Sequence, residues 1–323
     1  TILSGANTYS GGSNLLGGTV SIAAAGNLGS GAINFNGGTL LTTGAVTLSA
    51  PVTVGTGNGT FDNGGNNDAL AGGMSGPGAL TFAGAGTTAI TGAGNQAGHI
   101  LVDSGATVAL AGAGTQLTVA GASNAGALQL ASGASLVTTG GLANTGVLYG
   151  TGGTLTGNLV NTSGTVSVTP TLATPAGPGL APLSVITVAT APSFADSGRA
   201  SVSGVTVING DFVQGANGLL NFGISPSAST QLQVSGNIQL AGGLAVQAGA
   251  GTYLRTTYTL IDDANPNATL SGQFSSVAVS GLPQNWGYNI TYVTDPQVLL
   301  SVFPLTAFAS AGNTAVKVSP IAN

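Results

Sequence analysis

The chain has 323 residues, yet only 3 are Lys or Arg, 8 are Asp or Glu and 1 is His, and the formal net charge is −5. Because phosphate binding needs clustered Lys and Arg, this composition argues against a nucleic-acid partner and against an anionic membrane surface. The hydrophobic content of 42% argues against disorder, the lack of cysteine excludes disulfides, and 56 Gly with few strong helix formers predict an all-β protein.

Residues 1–164 carry a repeat of short apolar doublets, in which two apolar residues flank one other residue. Each doublet predicts one short strand with a single buried face. The segments between doublets contain Gly-Gly, Asn-Gly or Ser-Gly, which allow the positive φ of tight corners. Over the whole chain the doublets are Val20/Ile22, Ile33/Phe35, Val46/Leu48, Leu80/Phe82, Val108/Leu110, Leu117/Val119, Leu128/Leu130, Val166/Val168, Leu232/Val234, Ile238/Leu240 and Leu244/Val246.

The strand spacing by itself also fits a β-sandwich. Small residues dominate the chain, however, and only 5% of residues are aromatic, which leaves little to fill a two-sheet core. Near-repeats of the Gly-Gly-Thr-Leu type favour identical corners stacked on one another. We therefore predict a right-handed parallel β-helix, a β-solenoid, formed by residues 1–164 and 201–303. No apolar run is long enough to span a membrane, so we expect no membrane insertion of this chain.

An oxygen-rich segment lies at residues 62–68, where Asp62, Asn63, Asn66, Asn67 and Asp68 surround two glycines. Such clusters are typical of calcium-binding repeats. The spacing does not match those repeats and the cluster occurs once, so a solvated loop is the favoured interpretation. We predict no metal site and no cofactor.

Residues suited to catalysis are scarce. His99 with Asp103 could supply a base and its orienting carboxylate, but no Gly-x-Ser-x-Gly nucleophile motif accompanies them, and a surface or turn histidine is favoured. Glycoside hydrolysis needs two facing carboxylates, whereas Asp262 and Asp263 are adjacent and would point to opposite faces of a strand. The sequence therefore predicts a protein that is not an enzyme.

The repeat loosens between residues 165 and 200. Proline cannot donate to a central strand ladder, so this segment is predicted to be a loop or hairpin inserted into the solenoid. The prolines concerned are Pro170, Pro175, Pro178, Pro182 and Pro192. Farther along, Trp286, Tyr288 and Tyr292 form an aromatic cluster, which we expect to cap the last coils and not to bind a ligand.

Residues 304–323 form a tail that carries more apolar side chains than a solvated segment needs. An unpaired strand edge recruits other chains, and the first coil offers such an edge to the tail or last coil of a second copy. The alternative is that the tail folds back over its own last coil. The residues predicted to make the contact between subunits are Ile2, Leu3, Phe303, Leu305, Phe308, Val316 and Val318.

Two regions carry a family resemblance. The run from Leu3 to Gly12, followed by Gly18-Thr19-Val20, Leu28–Ile33 and Asn36–Leu40, resembles the passenger-associated β-strand repeat of bacterial autotransporters. Residues 211–302, which include Asp211-Phe212-Val213-Gln214 and Val298–Val302, resemble the C-terminal end of such passengers. The family normally continues into a linker helix and a membrane barrel, and we expect neither within residues 1–323.

The resemblance implies a secreted or cell-surface protein that is structural or adhesive and not catalytic. We expect head-to-tail self-association into extracellular filaments of the biofilm type. The alternative is a monomeric adhesin or carbohydrate-binding passenger. Either form would meet a host-cell, glycan or abiotic surface.

Overall fold

The computed structural model describes residues 1–150, 152–168, 188–189, 193–196, 199–202, 205–208, 210–263, 265, 267–293 and 296–305. About 55% of the chain is strand and 2% is helix, and the stacked parallel strands form a β-solenoid of about ten turns. The predicted all-β class and parallel β-helix are thereby confirmed.

The strands are short, and one 3-10 helix, Ala25–Leu28, lies among those described. Before residue 169 they are β1 Ile2–Leu3, β2 Ser13–Leu15, β3 Thr19–Ile22, β4 Ile33–Phe35, β5 Thr39–Thr42, β6 Thr47–Leu48, β7 Val52–Val54, β8 Gly59–Asp62, β9 Asp68–Leu70, β10 Met74–Ser75, β11 Ala79–Ala83, β12 Thr87–Ile90, β13 Asn95–Val102, β14 Thr107–Leu110, β15 Gln116–Asn124, β16 Ala127–Leu130, β17 Ser135–Thr138, β18 Leu142–Asn144, β19 Val147–Gly150, β20 Thr154–Thr156, β21 Leu159–Asn161 and β22 Thr165–Val168. The later strands are β23 Val188–Ala189, β24 Ser193–Asp196, β25 Arg199–Ser201, β26 Val205–Ile208, β27 Asp211–Gln214, β28 Leu219–Ser225, β29 Ala228–Ser229, β30 Gln231–Val234, β31 Ile238–Leu240, β32 Gly243–Ala248, β33 Thr256–Asp263, β34 Leu270–Gly272, β35 Ser276–Ser280, β36 Trp286–Val293 and β37 Gln297–Pro304.

Each full coil contributes strands to three faces of the solenoid. Two long strands, β13 and β15, run around a corner, because β15 pairs with β17 through its first half and with β18 through its second. The first face contains β1, β3, β5, β8, β11, the second halves of β13 and β15, β18, β21, β24, β27, β31 and β34. The second face contains β2, β4, β7, β10, the first halves of β13 and β15, β17, β20, β23, β26, β30 and β33. The third face contains β6, β9, β12, β14, β16, β19, β22, β25, β28, β32 and β35.

The core lies inside the three faces. The apolar doublets point inward as predicted: Leu80 and Phe82, for example, are fully buried, whereas Thr81 between them is partly exposed. Val20 is partly buried, and the side chain of Val168 lies outside the described residues. The remaining doublet residues are buried in one continuous cluster. Period-two alternation in a strand is enough to produce this arrangement.

Coil length varies along the rod. The aligned residues Asn144 and Asn161 are 17 positions apart, whereas Asn237 and Thr269, bonded across a later pair of coils, are 32 apart. Residues 165–200, which were predicted as an insertion, run from β22 to β25, whose register partners Thr165 and Arg199 are 34 positions apart. The two ends of this segment belong to the third face, where β22 pairs with β25, and residues 169–187 lie outside the described part of the chain.

The last strands do not continue the parallel stacking that we predicted throughout. β37 pairs antiparallel with β33, and β36 pairs antiparallel with β37. A strand that returns through a short connection must run antiparallel to its neighbour, since a parallel return needs a long crossover. The solenoid therefore ends in a hairpin instead of another coil.

Candidate interaction surfaces and buried polar groups

A row of buried asparagines follows one inward position of the first face. Asn124, Asn144 and Asn161 are register partners in successive coils. The Nδ2 of Asn124 donates to Oδ1 of Asn144 at 2.7 Å, and the Nδ2 of Asn144 donates to Oδ1 of Asn161 at 2.8 Å. We call these three residues the amide ladder. Each amide satisfies the next, so polar groups occupy a core position without solvent.

The amide ladder also binds the backbone at the adjoining corners. Asn124 donates to the carbonyl of Val147 at 2.9 Å, and Asn161 donates to that of Gly164 at 3.0 Å. Val102 is the register partner of Asn124 in the preceding coil, and the Oδ1 of Asn124 has no hydrogen-bond partner among the described residues. The first amide of the ladder therefore has an unsatisfied acceptor. Sequence reasoning did not single out these residues, although Asn two positions before Gly recurs at 124 and 144.

The oxygen-rich segment at 62–68 uses its side chains to hold turns. Asp68 is buried and accepts bonds from the Thr42 hydroxyl at 2.6 Å and the Val46 N–H at 2.8 Å. The Oδ1 of Asn63 accepts from the N–H groups of Gly65 and Gly86. These are contacts within and between coils. The expected solvated loop is wrong for Asp68 and Asn63, which are both buried, because their side chains face the core where the corner turns.

His99 and Asp103 are both exposed, on and just after β13. The His99 imidazole lies over Gly121 in the next coil, where a Cβ would contact its Nε2. Asp262 accepts a bond from Gln297 at 2.8 Å, and Asp263 accepts the N–H of Asn265 at 2.7 Å. No described hydrogen bond joins another carboxylate to the pair His99 and Asp103, or to the pair Asp262 and Asp263. Groups of three or more His, Cys, Asp or Glu able to hold a metal are absent from the described ranges.

Trp286 and Tyr292 of the aromatic cluster cap the core at its C-terminal end, as predicted, whereas Tyr288 is exposed. Trp286, Ile290 and Tyr292 lie on one face of β36 and pack against the core. The Tyr292 hydroxyl accepts the N–H of Phe274 at 3.1 Å, and the Tyr288 hydroxyl donates to the carbonyl of Val277 at 3.2 Å. We call β36 and β37 the cap hairpin.

Three tyrosines at this end have raised pKa values. Burial raises the pKa of Tyr253, Tyr258 and Tyr292 above the usual value for tyrosine. The Tyr258 hydroxyl donates to the carbonyl of Ser225 at 2.8 Å, and that of Tyr253 donates to the carbonyl of Gly249 at 2.9 Å. The protonated hydroxyls of Tyr253 and Tyr258 therefore help to close this end of the core through hydrogen bonds to the backbone.

The residues predicted to contact a second subunit lie at both ends of the rod. Ile2 is 79% exposed on β1, and Leu3 is partly buried against the core. Phe303 lies within β37 opposite Gly287, and Leu305, which is 55% exposed, donates its N–H to the carbonyl of Asn285 at 2.6 Å. The other three predicted contacts, Phe308, Val316 and Val318, lie outside the described residues.

A cleft of about 360 Å³ lies between the 3-10 helix and β6. Its floor contains Leu28, Ile33 and Leu48, and its rim contains small polar and apolar residues. No charged side chain lines it. Across the described ranges, no helix is both long enough and apolar enough to cross a bilayer.

No protein-family model matches the sequence. No curated protein matches it either. The interpretation of function therefore depends on the chain's own residues.

Proposed function

We propose that the chain is a non-catalytic structural or adhesive rod that is secreted or displayed at a bacterial cell surface. The observation that carries this proposal is the stacking of uncharged outward side chains along the rod. Thr19, Thr39, Thr60 and Thr81 are register partners in successive coils of the first face. Neighbouring coils place these hydroxyls at the inter-strand spacing of about 4.8 Å. A regular hydroxyl surface on a rigid scaffold suits attachment to a host-cell, glycan or abiotic surface.

A substitution test on that column distinguishes adhesion from an inert stalk. The double variant Thr39→Lys with Thr60→Lys places two charges on the outward column without touching the core. We expect weaker adhesion to the cognate surface. The matched control is Thr87→Lys with Thr107→Lys, at partner positions on the third face, and it should leave adhesion unchanged. Equal loss from both pairs would contradict a role for the first-face column.

The finer form of the proposal is an autotransporter passenger. It is supported by the resemblance of residues 3–40 and 211–302 to such passengers and by the parallel coils that these regions form, from β1 to β5 and from β27 to β34. Secretion of a full-length precursor, followed by detection of this segment at the cell surface, tests it. Retention of the segment inside the cell would contradict the proposal.

Self-association head to tail, into filaments, is the assembly we propose for the rod. The large exposed fractions of Ile2 and Leu305 support it, because most large apolar side chains of the described chain are buried. A contact between different surfaces of identical copies generates open filaments. Because Pro304 pairs with Trp286 in the cap hairpin, the test deletes only residues 306–323. Monomers in electron micrographs are expected, and unchanged filaments would exclude the tail as the connector.

A further inference from the structure

The last strand of the third face has a free edge. β35 pairs with β32 and, among the described residues, with no other strand. Ser276 donates its N–H to the carbonyl of Gly242 on the β32 side at 3.4 Å. Backbone groups alternate in direction along a parallel ladder, so those of Val277 and Val279 face the free edge.

The sequence of this edge is self-complementary. It reads Ser276-Val277-Ala278-Val279-Ser280, which is the same in both directions. An antiparallel copy centred on Ala278 would place Val277 opposite Val279 of the copy, and these are the residues whose backbone groups point away from β32. Both valines are only partly buried, and residues 264–294 contain no charged side chain to repel a copy.

One side chain of the cap hairpin contacts this edge. The hydroxyl of Tyr288, on β36, donates to the Val277 carbonyl, which is an acceptor that an added strand would need. Tyr288 is itself 40% exposed. Its side chain therefore lies over the edge of β35 and stays in contact with solvent. Tyr292, four residues along the same strand, holds the N–H of Phe274 just before β35.

We propose that β35 is a homotypic docking edge for a second copy of this chain, and that Tyr288 is the guard that keeps it closed. Release of Tyr288 frees the edge, and two copies then join through an antiparallel β35 pair about a two-fold axis at Ala278. Such a contact uses the same surface on both copies and closes as a dimer. It therefore differs from the head-to-tail contact, which joins different surfaces of two copies and can add further copies without end.

The test uses full-length protein, which contains no native cysteine. Tyr288→Ala removes the guard, and we expect a concentration-dependent dimer in sedimentation velocity; Tyr288→Phe should give a smaller dimer fraction, since only the hydroxyl is lost. In the Tyr288→Ala background, Ala278→Cys should form a disulfide-linked dimer under mild oxidation. The facing Cα atoms of a non-hydrogen-bonded antiparallel pair are about 4.5 Å apart, within disulfide range.

Two matched variants control the experiment. Ala245, the register partner of Ala278 on β32, lies one strand inside the edge, so Ala245→Cys in the same background should not cross-link. Ala278→Lys should abolish this dimer, because like charges would face each other at the two-fold axis. A Tyr288→Ala protein that forms no more of this dimer than the wild type, with unchanged circular dichroism, would overturn the proposal. So would equal cross-linking from positions 245 and 278, or a dimer that persists when Ala278→Lys is added.

Discussion

One inward column of the first face changes chemistry halfway along the rod. In the earlier coils it contains Phe61, Phe82 and Val102, and in the next coils Asn124 and Asn144 take the same place. Both halves are buried. The rings of Phe61 and Phe82 meet edge to face with centroids 6.5 Å apart, whereas the asparagines form hydrogen bonds from coil to coil. Phenylalanine and asparagine can thus both fill this buried column, provided that phenylalanine has apolar neighbours and asparagine has amide neighbours.

Breaking this condition in the apolar half of the column should have the largest effect on stability. Phe61→Asn would bury an amide between Leu40 and Phe82, neither of which can bond to it, and it would leave a cavity. We expect a loss of about 5 kcal/mol in the free energy of unfolding, from about 3 kcal/mol or more for the lost ring and about 1–3 kcal/mol for the unsatisfied amide. Urea denaturation measures it. Phe61→Leu, which keeps the site apolar, should cost much less; equal losses would refute the dependence on like neighbours.

Removal of one rung of the amide ladder should have the next largest effect. Asn144→Ala leaves an Asn124 donor and an Asn161 acceptor without their ladder partner. We expect a loss of about 2–4 kcal/mol, since two buried polar groups lose a bond. Because coils interact chiefly with their neighbours, amide hydrogen exchange should accelerate most in β15, β18 and β21. Asn289→Ala, at an exposed position on β36, should be near neutral.

Substitution of a glycine in the apolar half should have a moderate effect on stability. Gly59 is buried, and an added Cβ would lie within 2.4 Å of the Phe35 Cβ. We therefore expect Gly59→Ala to cost about 1–3 kcal/mol through overpacking. Gly17→Ala is the control, because nothing lies within 4 Å of its added Cβ. Similar thermal midpoints for the two variants would show that Phe35 can move aside without cost.

The smallest effect on stability is expected from the tyrosine hydrogen bonds at the capped end of the core. Because burial raises the folded-state pKa of Tyr253, Tyr258 and Tyr292, their contribution to stability is complete below about pH 10, the unfolded tyrosine pKa. It is lost as pH rises above that value, where the unfolded state releases its protons first. Denaturant midpoints between pH 8 and pH 12 should fall only in the upper part of this range. Tyr258→Phe should be less stable by about 1 kcal/mol at neutral pH and show a shallower alkaline decline.

The strands and the core could be predicted because their signals are local. An apolar doublet such as Leu80/Phe82 specifies strand and buried face together, since side chains alternate with period two. The aromatic cap at Trp286 and Tyr292 was also predictable, because large rings near the end of a repeat need a core to cover. The antiparallel return of β37 was not, since residues 297–304 alternate like any other strand.

By itself, the sequence determined the strand pattern, the glycine corners and the lack of charge along the rod. Only the tertiary structure decided which asparagines are buried, because the acceptor for Asn124 is supplied by a residue 20 positions away. It also decided that Tyr288 meets the edge of β35. The physical reason is common to both cases: a hydrogen bond between coils depends on the register in which the coils stack, and that register depends on the lengths of all the corners between them.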